Sequence, residues 1–292
     1  MKAMSTRVAH AVMVAPVQLM LVLVIGLPSL WVLWLSLHTT SFGQAPVFVG
    51  LANYATVLAD PYFWHALVNT FVVVNVVVYV ELVAALAMAT LFASGVPFRR
   101  TMISIILAPY AVSEVVAVVI WKYMLEPDVG LISGLIALVG LPELAWTTDR
   151  WSALTLVSLL SIWLHLPFSF LILYSALLGV PKELYESAAI DGANAWHRFA
   201  RITVPILMPA ILVALMFRYV FAFRLFAEVW LLTGGGPARQ TEVLATYLYR
   251  HAFRYQEFGV ASAIGWLMVV GTLLISAVYL REMYKRMLSA DA

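Results

Sequence analysis

Six apolar runs set what this chain can become. They cover residues 10–37, 63–93, 101–124, 154–180, 204–232 and 258–280. Each exceeds the roughly 20 residues that cross a bilayer as a helix. Backbone groups in lipid must be bonded internally, which leaves helices or closed barrels. Barrel strands are short and alternate in polarity, so runs this long and continuous predict helices. Hydrophobic residues reach 64% and charged residues only 11%, far from the ~25% charged residues of a soluble domain. The expected fold class is therefore an all-α integral membrane bundle of about six spans, forming one transmembrane domain over 1–292.

The remaining composition excludes several chemistries. A formal net charge of +2 gives no electrostatic footprint for nucleic acid, and with no cysteine there is no disulfide, thiolate metal site or thiol nucleophile. Lys2 and Arg7 precede the first run, but that run is too long for a signal peptide and lacks a small-residue cleavage site, so it reads as a retained span. With the N-terminus inside, the inner segments hold ten Lys and Arg residues and the outer ones four. The positive-inside rule then places both ends in the cytoplasm. The outer segments 38–62 and 125–151 can carry short interfacial helices. Segment 233–255 opens on the breaker Gly234-Gly235-Gly236-Pro237. It continues through Leu244, Tyr247, Leu248 and Phe253, which predicts a short amphipathic helix on the outer surface.

Residues 183–209 form a polar, small-residue island between the fourth and fifth runs, on the expected cytoplasmic side. Pro181 suits a helix start, and Glu183 and Glu186 sit where the helix dipole favours negative charge. Gly192 can close that helix in the left-handed conformation. Asn194 can cap a second helix carrying Trp196, His197, Arg198 and Phe199. Pro205 and Pro209 limit or kink the return to the membrane. The residues alone leave two readings: an ordinary helical connector, or a rigid surface built to be gripped from the water side.

The run Glu186-Ser187-Ala188-Ala189-Ile190-Asp191-Gly192-Ala193, followed by Ile202-Thr203-Val204-Pro205, resembles the EAA loop of permease subunits of binding-protein-dependent ABC importers. Ser187 and Val204 depart from the family's Ala and Leu. Two further segments are similar to the carbohydrate branch, the maltose and glycerol-phosphate permeases. One runs from Leu107-Ala108-Pro109-Tyr110-Ala111 through Trp121 to Gly130. The other is Leu232-Thr233-Gly234-Gly235-Gly236-Pro237 with Thr241-Glu242 and Phe258-Gly259, and it resembles the maltose-F-like subunit more than its maltose-G-like partner.

The resemblance implies a type I importer permease in a bacterial or archaeal cell membrane. Its partners would be a second permease subunit, two copies of a cytoplasmic ATPase and an extracytoplasmic sugar-binding protein. It implies that residues 181–203 form a coupling helix docking on the ATPase, with Glu186, Ala188, Ala189, Asp191, Gly192 and Pro205 as the coupling residues. ATP and Mg would sit on the partner, since this chain has no G-x-x-x-x-G-K-[ST] loop. The expected cargo is a di- or oligosaccharide, with glycerol phosphate or a polyol as the alternative.

Polar groups within spans are costly and mark function. The resemblance aligns Ser161, Trp163, Leu164 and Phe168 of the fourth run, and Arg218, Phe221, Ala222 and Leu225 of the fifth, with the family's sugar site. The family's Asn-rich positions are not kept in the second group. Arg224 and Glu228 are four apart and can pair on one helix face, as a structural or gate contact, or can meet sugar directly. Glu81, Asn75, Glu114 and His165 are further polar candidates. An ion-driven secondary transporter is a competing class, but no internal repeat supports it. An intramembrane metalloprotease would want H-E-x-x-H, a spacing the chain lacks.

Overall fold

The computed structural model describes residues 6–290 other than 128, 141 and 143, so Lys2 lies outside the described residues. The chain divides into two compact units, residues 1–63 with 248–269, and residues 64–247 with 270–292.

In the first unit, α1 (Thr6–Leu21), a π-helical turn (Val22–Gly26) and α2 (Leu27–Ser36) run on from one another. Val12–Ser36 of this stretch is long and apolar enough to cross a membrane. Met13, Leu23, Leu30 and Trp31 are all exposed, the outward apolar surface that only lipid or another apolar surface can cover. Strands β1 (His38–Thr39) and β2 (Val47–Phe48) pair antiparallel, His38 opposite Phe48, before α3 (Ala52–Ala59). Asn53 holds this corner: its Nδ2 donates to the carbonyls of Ser36 at 2.8 Å and His38 at 2.9 Å. Gly259 approaches the same place so closely that an added Cβ would collide with the His38 carbonyl oxygen.

The second unit takes up most of α4 (Pro61–Ala93). Then come α5 (Arg99–Leu107), a 3-10 turn (Ala108–Ala111), α6 (Glu114–Leu125) and α7 (Leu131–Leu138). The third apolar run is not one straight span, because Arg99–Ala111 and Glu114–Met124 meet at 99°. Val112 and Ser113 are extended at the corner, just after Pro109, whose missing N–H and fixed φ interrupt the helical ladder. Helix α8 (Arg150–Leu178) follows. Its N-cap Asp149 accepts from Ser152 N at 2.7 Å and Ser152 Oγ at 2.8 Å, bonds that hold the exposed carboxyl below its ordinary pKa.

Beyond α8 lie α9 (Lys182–Ile190), α10 (Ala195–Arg198), a π-helical turn (Phe199–Thr203) and α11 (Val204–Ala222). Residues 195–222 run on as one 28-residue helical stretch, long and apolar enough beyond its first turns to cross a membrane. The fifth run, expected to be continuous to residue 232, therefore stops at Ala222. A turn over 223–226 separates it from α12 (Ala227–Leu232). Helix α12 packs on α6, and α11 on α8. Two apolar clusters hold the unit, one around Phe170, Leu207 and Tyr219, the other around Val118, Leu160 and Val229. Helix α13 (Leu244–Tyr249) departs from the expected surface helix: Leu244 is 3% and Tyr247 0% exposed. Helix α14 (Phe258–Ala290) ends the chain. Among the described residues, five helices are long and apolar enough to span a membrane, or six if the bent pair counts as one.

Candidate functional site

The polar island folds as helix, glycine turn and helix. Helix α9 ends at Asp191, and Gly192 has φ +80° with nothing within 4 Å of where a Cβ would stand. The turn thus needs glycine for its backbone conformation, not for space. Ala193 N closes it on the Ala188 carbonyl at 2.9 Å. Asn194 Oδ1 then accepts from His197 N at 2.9 Å, capping α10. Glu186, Ala189 and Asp191 are exposed and Ala188 is half-buried. Pro205 is exposed in the first turn of α11, beyond the two short helices. Several apolar side chains face outward too: Leu184 is 43%, Trp196 70% and Ile190 87% exposed.

A second constellation lies where the bent third span, α8, α11 and α12 meet. A cavity of about 370 Å³ is lined by Glu114, Ser161, Arg218, Phe221, Arg224 and Glu228, among others. Ala222 and Leu225 also line it, so five of the eight expected pathway residues come together. Trp163, Leu164 and Phe168 are not in its wall. Trp163 meets Trp121 edge-on at 5.5 Å, Leu164 is buried in an apolar cluster, and Phe168 packs edge-on against Phe221 at 5.8 Å.

The electrostatics of this region differ from the expected pairing. Arg224 and Glu228 form no ion pair. Arg224 lies in the turn after α11 and Glu228 in the first turn of α12, so their spacing of four does not place them on one helix face. Arg224 is exposed, with its guanidinium 5.6 Å from the Phe221 ring centre, a cation–π contact. Glu228 is 1% exposed, and its Oε2 has no hydrogen-bond partner among the described residues. The buried ion pair is instead Arg218 with Glu81. Arg218 Nε donates to Glu81 Oε2 at 2.8 Å, and Nη2 lies 2.6 Å from the same oxygen. Ser169 Oγ donates to Glu81 Oε1 at 2.5 Å. The sequence flags Glu81 as an acid inside a span, but not its partner 137 residues away. Asn75 is similarly engaged, accepting from Tyr219 Oη at 2.7 Å.

Tyr110 and His165 also line the cavity. His165 Nδ1 is bonded to the Ser161 carbonyl at 2.9 Å. Tyr110 and Glu114 flank the corner of the bent span, so the bend brings them in. Pro109 followed by Ser113 within an apolar run was the available signal. The arrangement offers acceptors at Glu114 and Glu228, donors at Arg224, Tyr110 and Ser161, and an aromatic face at Phe221. That set suits a polyhydroxylated molecule.

The family model described as binding-protein-dependent transport system inner membrane component matches residues 2–283. The trehalose/maltose transport system permease protein MalF of Thermococcus litoralis is 33% identical over 273 residues, covering 92% of this chain and 91% of that protein. The trehalose transport system permease protein SugA of Mycobacterium tuberculosis is 32% identical over 280 residues, covering 95% and 89%. Among solved structures, a chain of a bacterial alginate ABC transporter in complex with alginate pentasaccharide-bound periplasmic protein superposes with a TM-score of 0.80 at 22% identity, over 92% of this chain and 91% of that one. A chain of the MetNI methionine ABC transporter does so at 0.55 and 17%, over 80% and 97%. The architecture is that of type I ABC importer permeases. Because the family model and these relatives run through nearly the whole chain, this protein belongs to the binding-protein-dependent transport system inner membrane components, the permease subunits of ABC transporters.

Proposed function

We propose that this chain is one of two membrane-spanning subunits of an ATP-driven importer for a neutral di- or oligosaccharide. The observation that carries the sugar reading is the 370 Å³ cavity, with carboxylate acceptors, hydroxyl and guanidinium donors and the Phe221 ring. Sugars present hydroxyls at their edges and C–H faces to aromatic rings, and this wall has a counterpart for each. The names of the trehalose and maltose relatives support the same class.

The α9–α10 segment is the coupling element. It exposes the large apolar side chains Leu184, Ile190 and Trp196, which a partner surface would cover. A cytoplasmic ATPase would cover it, with Glu186 as polar contact and Gly192 fixing the angle between the helices. In this reading both chain ends and the segment face the cytoplasm, in keeping with the distribution of Lys and Arg. ATP and Mg are held by two ATPase copies, a second permease subunit completes the pathway, and a binding protein outside the membrane delivers the sugar. The chain itself is a translocation subunit and not an enzyme.

The test is ATPase activity of the reconstituted complex with its binding protein across disaccharides, monosaccharides, polyols and glycerol phosphate. Stimulation by a neutral disaccharide is expected. Arg224 in the cavity wall keeps an anionic cargo as the second reading, and stimulation by glycerol phosphate alone would replace the first. A complex that assembles and transports normally with Glu186→Ala and Gly192→Asp would remove the coupling role.

A further inference from the structure

A second, larger cavity of about 440 Å³ lies behind the α9–α10 segment. Its wall includes Ser94 just past α4, Leu178 at the end of α8, Lys182 and Tyr185 of α9, and Arg198 and Phe199. Lys182 and Arg198 line it, and among the described residues no carboxyl side chain does; the acids of α9, Glu183 and Glu186, are outside the wall. Arg198 Nε is shut off from solvent and has no hydrogen-bond partner among the described residues. A shielded guanidinium N–H with no protein acceptor gains from a charge-assisted bond to an anion. The space is much larger than a single phosphate group, and its remaining wall is mainly apolar. Tyr185 is held in place by a 3.1 Å hydrogen bond between its hydroxyl and that of Thr203. The cavity opens where α4 and α8, both long enough to cross a membrane, come to an end. Helices that cross a membrane end near the level of the phospholipid phosphates.

We infer that this cavity binds the phosphate of an anionic phospholipid. Arg198 and Lys182 hold the phosphate oxygens, while the glycerol and first methylenes rest on Leu178 and Phe199. Arginine suits such a phosphate because its N–H groups form charge-assisted bonds, and basic pockets between membrane helices bind anionic headgroups for this reason. A choline headgroup would bring its ammonium towards the two cations, so phosphatidylglycerol is preferred over phosphatidylcholine. The bound lipid ties α9 and α10 to the ends of α4 and α8, bracing both arms of the helix–turn–helix against the spans. The inference does not depend on which solute is carried.

The test is native mass spectrometry and ATPase measurement on the full complex in nanodiscs of phosphatidylcholine, with or without phosphatidylglycerol. Selective retention of phosphatidylglycerol is expected, weakened about fivefold for each charge removed in Lys182→Ala and Arg198→Ala. Ala93→Trp, which fills the cavity without touching a charge, should abolish retention even if the Arg198 variant fails to assemble. Equal retention of both lipids, or retention unchanged in Ala93→Trp, would overturn the proposal. So would displacement of the lipid by inorganic phosphate, which would make the site one for a free anion. Retention by the isolated chain but not by the complex would also overturn it, because the ATPase would then fill the cavity.

Discussion

Glu81→Leu is the most informative perturbation of the membrane-buried charges. It removes an acid that is fully buried and leaves Arg218, 2% exposed, without its partner. Two contacts are lost, at 2.8 and 2.6 Å, and Ser169 Oγ loses its acceptor at 2.5 Å. Breaking one side of a buried pair costs about 3–5 kcal/mol, mostly as the stranded charge, whereas replacing both partners with apolar groups is often close to neutral. Glu81→Leu should therefore lower the folded-to-unfolded ratio by roughly 150- to 5,000-fold. Adding Arg218→Met should restore most of it. A double-mutant cycle by denaturant titration in mixed micelles, followed by tryptophan fluorescence, measures the coupling. If the two single effects add within about 0.5 kcal/mol, the pair does not act as a unit and Arg218 must be explained by something else, such as contact with cargo.

Three further outcomes are expected. Gly259→Ala should destabilise by at least the ~1–3 kcal/mol typical of overpacking, since its Cβ would collide with the His38 carbonyl oxygen. Gly271→Ala, in open space on the same helix, should gain up to about 1 kcal/mol of helix propensity; thermal unfolding of the two variants in detergent checks the contrast. Gly192→Ala should weaken ATPase association by about 1–2 kcal/mol, the usual cost of a left-handed conformation for a residue with a Cβ, while Gly192→Asn should cost less; co-purification affinities decide. Asn69→Ala removes two bonds of 2.8 Å to the carbonyls of Gln240 and Glu242 and the acceptor of Arg150 at 2.7 Å, so hydrogen exchange over residues 234–243 should accelerate by roughly tenfold or more, at about 1 kcal/mol per lost bond.

The shape of the polar island was legible because its determinants are local. Pro181, Gly192 and Asn194 act on backbone within a few residues of themselves, and the helix–turn–helix they predict is the one observed. Five of the six expected spans were legible for a similar reason, since crossing a bilayer demands a long apolar run; the third run folds as a bent pair. The cavity was half legible: Ser161, Arg218, Phe221, Ala222 and Leu225 line it as expected, but Trp163, Leu164 and Phe168 pack against other helices. Which face of an apolar helix looks inward depends on its neighbours, and composition alone carries little of that.

What the sequence by itself determined is the membrane class, the apolar runs that supply the spans and the shape of the polar island. Only the tertiary structure decided where the charges go. Hydropathy does not register that the third span turns through 99° after Pro109 or that the fifth ends at Ala222. Those two breaks place Glu114 and Glu228 at one cavity and separate Arg224 from the acid four residues on. In a low-dielectric interior a buried arginine needs a counter-charge within reach, and reach is set by packing. Arg218 therefore finds Glu81 across the bundle and not a partner along its own helix.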